Sequence, residues 1–170
     1  MENDLAKFDI EKAAKEIAAR PLGSDFLILS KEEEKIIELS KIVSFDFDSK
    51  LKATKKTGYY VYDCRLNTLY GNQHNEIAHV KPDDNKSTLK EACRSIDNSN
   101  PCVLVILNFD LMHQDKILNS WNQRFIFSLK GNDLNEKSLL HKDSVIIAGY
   151  SGAGHISTSL GLIAFELINQ

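Results

Sequence analysis

"SVIIAGYSGAGHISTSLGLIAFELI", residues 144–168, decides how the chain is built at its end. The apolar run 144–148 leads into Gly149, Gly152, Gly154 and Gly161, four of the eight glycines of the chain. One continuous helix over 145–165 would hold all four, each at about 1 kcal/mol relative to alanine. A strand, a glycine turn and then a helix over "STSLGLIAFELI" accommodates the same residues at lower cost. That is the local structure predicted here.

The rest of the chain alternates helical and strand patterns. Ile10, Ala13, Ala14, Ile17 and Ala18 have helical spacing, and "RPLG" ends that helix. "DFLILS" reads as a strand, and Ser30 with Glu33 has the form of a capping box opening a helix through about Val43. "SFDFDS" alternates and predicts a strand, with Asp46 and Asp48 on one face. "YYVYDCRLNTLY" predicts a hairpin, followed by a third strand near Glu76–Val80. Thr88 and Glu91 suggest a helix through about Ile96, and "CVLVILNFD" is the most apolar run, fit for a central strand. These patterns predict one α+β domain over 1–170, with a mixed or antiparallel sheet, a central apolar strand and three to four flanking helices.

Composition bounds the function. The 170 residues carry a net charge of −3 and 26% charged residues, with no basic stripe for nucleic-acid phosphates. Three cysteines, Cys64, Cys93 and Cys102, without paired spacing, fit a reducing cytoplasm rather than a disulfide framework. Neither a signal peptide nor an apolar run of membrane-spanning length is expected. No zinc pattern is present, and a metal site is not predicted.

The glycine stretch matches several chemistries in part. Gly149 to Gly154 has phosphate-loop spacing, but His155 and Ile156 replace the Lys and the Ser/Thr that such a loop needs. Gly149, Ser151 and Ala153 give a GxSxA version of the hydrolase elbow. Only His155 and Glu166 follow Ser151 as partners, in the wrong order, so a serine hydrolase ranks third. Close packing of small residues is the competing structural reading.

Three segments, in order, resemble the nitroreductase-like FMN-dependent oxidoreductases, in particular the azoline (thiazole/oxazole) dehydrogenase branch. "TGYYVYDCRLNTL" resembles the family's aromatic hairpin, "LKEACRSIDNSNPCVLVILNFDL" its helix and central strand, and "IIAGYSGAGHISTSLGL" its buried helix. The resemblance spans residues 57–165 and implies FMN, a homodimer and hydride transfer. It places Arg124, Gly149, Ser151, Gly152, Gly154 and His155 at the cofactor. In "SWNQR", Ser120 and Trp121 stand where the branch has Lys and Tyr, and Arg124 keeps the Arg. Losing those proton-moving groups implies a degenerate member of the family. The N-terminal double-Arg phosphate motif is also missing.

The alternative is a non-catalytic protein-binding module, a bacterial immunity or effector-type partner. Its basis is the incomplete catalytic set and the aromatic hairpin Tyr59, Tyr60, Tyr62 and Tyr70, a residue type suited to interfaces. His74, Glu76 and His79 do not converge if they lie on one strand, and His113 with Asp110 and Asp115 reads as a solvated loop. Trp121 is expected in the core.

Overall fold

Strand β1 (Ala6–Phe8) runs into Asp9, whose carboxylate accepts a hydrogen bond from Lys12 N at 2.8 Å and caps helix α1 (Ile10–Ala18). Strand β2 (Asp25–Leu29) and helix α2 (Glu33–Leu51) follow. Then come β3 (Gly58–Asp63), β4 (Thr68–Tyr70), β5 (Glu76–His79) and α3 (Thr88–Cys93). Strands β6 (Cys102–Leu107), β7 (Val145–Tyr150) and β8 (Ile163–Leu167) complete the sheet. The structure, a computed structural model, describes residues 5–51, 57–81, 88–109, 129–130, 138–150 and 163–168.

The eight strands among the described residues join one sheet in the order β1-β8-β2-β7-β6-β3-β4-β5. From β1 to β3 every neighbouring pair is parallel, and β4 and β5 add an antiparallel margin. The fold is α+β with a mixed sheet, and the predicted central strand is β6, held between β7 and β3. Every residue of "CVLVIL" is buried, as expected of a parallel strand covered on both faces. One face of the sheet packs Val103, Val105, Ile147, Phe26 and Ile28 against α1 and α2. The other packs Leu104, Ile106, Ile146 and Leu27 against Leu89, Ala92 and Cys93 of α3.

Several expectations are corrected. "SFDFD" is not a strand: α2 continues through it to Leu51. Ile36, Leu39, Val43 and Phe47 form its buried stripe, so Phe47 faces the core while Phe45 points outward. The predicted C-terminal helix is, over its described part, strand β8, which pairs with both β1 and β2. Helix α3 stops at Cys93; three-residue turns from Arg94 N to Glu91 O, Ser95 N to Ala92 O and Ile96 N to Cys93 O carry the chain on. Ser30 accepts from Glu32 N at 3.2 Å and donates to Glu32 O at 2.9 Å, a local turn in place of the expected capping box. The hairpin, the third strand, α1 and β2 lie where their patterns predict.

Candidate functional site

The parallel strands share one carboxyl edge, the position where sheets of this kind hold ligands. Asp63, at the end of β3, is buried there. Its carboxylate accepts hydrogen bonds from Arg65 N at 2.9 Å, Asn108 Nδ2 at 3.1 Å and Arg65 Nη2 at 3.3 Å. Arg65 also lies 3.9 Å from Glu33 in the first turn of α2. Asn108 leaves β6 with φ of 56°, a left-handed conformation that asparagine tolerates. These contacts tie the exits of β3 and β6 to the start of α2. They occupy the Asp63 carboxylate, so the cluster acts as a clamp.

The neighbouring turn from β2 into α2, Ser30–Glu32, contains no glycine. Glu32, Glu33 and Glu34 crowd the start of the helix, where an anionic ligand would otherwise be favoured.

Gly149 lies on β7, one residue before that strand ends. A Cβ built on it would stand 2.6 Å from Ile36 Cδ1, so the missing side chain lets α2 settle against β7. Arg124, Ser151, Gly152, Gly154 and His155 lie outside the described residues, as do Asp110, His113, Asp115, Ser120 and Trp121.

The tyrosine hairpin is not an open face. Tyr59 is buried, with its hydroxyl 2.6 Å from Ser40 Oγ, and Tyr62 is buried with its hydroxyl 3.1 Å from Thr88 Oγ1. Burial raises both phenols, Tyr62 to about 12. Tyr60 and Tyr70 are half-buried. The reason is the parallel pairing of β3 with β6, which places the hairpin's first strand inside the sheet. His79 Nδ1 sits 2.9 Å from Thr68 Oγ1, and His74 lies in a left-handed turn. Among the described residues no three His, Cys, Asp or Glu side chains are grouped to hold a metal.

Two features were not visible in the sequence pattern. The first is a small hollow of about 40 Å³ between α1, α2 and the starts of β2 and β7. Its walls include Ala14, Ile17, Phe26, Val43, Phe47 and Val145, and Arg20, Asp46 and Lys50 stand at its margin. On α2 away from that wall, Ile42 and Phe45 project to solvent, Phe45 with 74% of its surface exposed. The buried spacing of residues 36, 39, 43 and 47 was the signal that would have turned Phe45 outward.

The second is a buried ion pair at the opposite edge, where the strands begin. Lys130 Nζ donates to Gly23 O at 2.5 Å, to Asp25 Oδ1 at 2.6 Å and to Ser144 O at 3.3 Å. Ser144 Oγ in turn accepts from Cys102 N at 3.0 Å. Burial lifts the Asp25 carboxyl to about 6, against the pull of the Lys130 charge and its hydrogen bond. Nothing in the local pattern around Lys130 marks this role.

No protein-family model matches the chain, and no curated relative matches it. Among the described residues no helix is long and apolar enough to cross a membrane.

Proposed function

We propose that this chain is a non-catalytic protein-binding domain that docks its partner on the α1–α2 face. The observation that carries this reading is Phe45, a large aromatic side chain left 74% exposed on a helix whose opposite stripe is core. Ile42 lies one turn earlier and is also exposed. An exposed aromatic next to an exposed aliphatic on one helix surface is the kind of anchor that interfaces use. The described part of the sheet's carboxyl edge supports the same reading: it offers an occupied carboxylate and an acidic turn in place of a phosphate cradle.

A photo-crosslinking amino acid at position 45, expressed in the native host, tests the proposal. A discrete adduct is expected from position 45 and none from exposed Lys7. The adducted protein, purified, should bind the wild-type chain and lose at least about tenfold in affinity for Phe45→Lys, as expected of an interface anchor. Binding that is indifferent to Phe45 overturns the proposal.

The flavin reading leans on the family resemblance and on residues outside the described ones, and it has a separate signature. A preparation that is yellow, or that takes up FMN stoichiometrically on incubation, would replace the binding-domain reading. The serine hydrolase reading requires Ser151 to be labelled by a fluorophosphonate.

A further inference from the structure

We propose that the partner seated on α2 is a second copy of this chain, with the two α2 helices antiparallel about a two-fold axis that passes between Ile42 and Phe45. This deepens the binding-domain reading and rests on it. Glu38, Ile42, Phe45 and Ser49 form a stripe along α2, and every one of them is exposed. Their spacings of four, three and four residues put them on one face of the helix and read the same from either end. Ile42 is also the midpoint of Glu33–Leu51, so an antiparallel copy overlaps the helix along nearly its full length.

The side chains match themselves across that axis. In the antiparallel arrangement Ile42 meets Phe45 of the second copy, and Phe45 meets Ile42 of the second copy, so the apolar side chains close on one another at the centre. Glu38 then lies opposite the small Ser49 of the second copy. Lys41 and Asp48, seven residues apart, share one flank of the stripe. The axis brings Lys41 of each copy against Asp48 of the other. The Asp48 carboxylate is already held in place on that flank, its Oδ1 accepting from Thr57 N at 2.7 Å. A parallel pairing lacks this match, because it sets Glu38 against Glu38 of the second copy. A partner unrelated in sequence gives no reason for a stripe that is symmetric in both spacing and charge. One helix per copy buries far less than the about 1,600 Å² of a standard interface, so the dimer is weak and forms at high protein concentration.

Sedimentation equilibrium of the full chain from about 10 μM to about 1 mM tests the proposal. Wild type is expected to pass from monomer toward dimer across that range, and Phe45→Lys to stay monomeric. Lys41→Glu, at an exposed position, should weaken the dimer at least about fivefold. Orientation is read with a short bismaleimide in a Cys64→Ser background, where the remaining native thiols are buried. A mixture of Glu38→Cys and Ser49→Cys chains should cross-link, and Glu38→Cys chains alone should not. A monomer at every concentration, a dimer indifferent to Phe45→Lys or to Lys41→Glu, or cross-linking of Glu38→Cys chains with one another would overturn the proposal. The native-host adduct is read independently. A different protein captured at position 45, beside a chain that stays monomeric, removes the second copy and leaves the docking face standing; an adduct of twice the chain's mass supports both readings.

Discussion

Lys130 Nζ stands 2.6 Å from Asp25 Oδ1, and both side chains are almost wholly enclosed. The contact joins residues 105 positions apart and fastens the starts of β2 and β7 to Leu129–Lys130. Removing one partner of such a pair leaves an uncompensated charge inside the protein. Lys130→Met should therefore cost about 3–5 kcal/mol at pH 7.5, measured by urea unfolding. At pH 5 the loss should be smaller, because Asp25 without its cation is largely protonated there. A loss below about 1 kcal/mol at both pH values would show that the pair does not hold this edge together.

The same carboxyl fixes a pH dependence. Asp25 is raised from 3.8 to about 6, chiefly by burial. The folded protein therefore holds that proton more tightly than the unfolded chain. The stabilising contribution is complete below pH 3.8 and is lost as the pH rises through about 6. Wild type should thus gain stability relative to Asp25→Asn on going from pH 7 to pH 4, on the order of 3 kcal/mol. Parallel unfolding curves across that range check it; a difference that stays constant, or grows with pH, contradicts the sign.

Gly149 and Ile36 make a second testable contact. Gly149→Ala drives a Cβ to 2.6 Å from Ile36 Cδ1 and should cost about 1–3 kcal/mol by overpacking. Ile36→Val deletes that Cδ1. In its background the alanine should cost less, with a coupling above about 0.5 kcal/mol in a double-mutant cycle. Strict additivity would place the strain elsewhere.

The three cysteines should separate by reactivity. Cys93 and Cys102 are buried, and burial raises both thiols, Cys102 to about 11. Cys64 is partly exposed at the end of β3. A thiol–disulfide reagent at pH 8 should modify one cysteine readily and the other two only after unfolding. Fast modification of all three would mean that the central strand opens easily.

Phe45→Lys should leave stability within about 0.5 kcal/mol of wild type, since the ring makes little use of the core. Thermal unfolding measures this directly. A large loss would identify Phe45 as a structural residue and weaken its assignment to a docking face.

Local order determined what was legible in the residues alone. Helix α1, strands β2 and β6, and the β3–β4–β5 hairpin and strand each carry their periodicity within a few positions, and each forms where its pattern lies. Glycine 149 carried a packing reading beside its ligand reading, and the contact with Ile36 supplies the packing. Tertiary structure decided the rest. "SFDFD" fits a two-residue and a four-residue period equally well, and burial of Val43 and Phe47 against the sheet selects the helix. "IAFEL" becomes a strand because β1 and β2, more than 130 residues earlier, offer it parallel pairing on both edges. Tyr59 and Tyr62 turn inward, and Lys130 finds Asp25, through the same non-local pairing of distant strands. A local window records propensity; which surfaces meet, and so which side chains lose water or keep it, depends on the order in which the strands assemble.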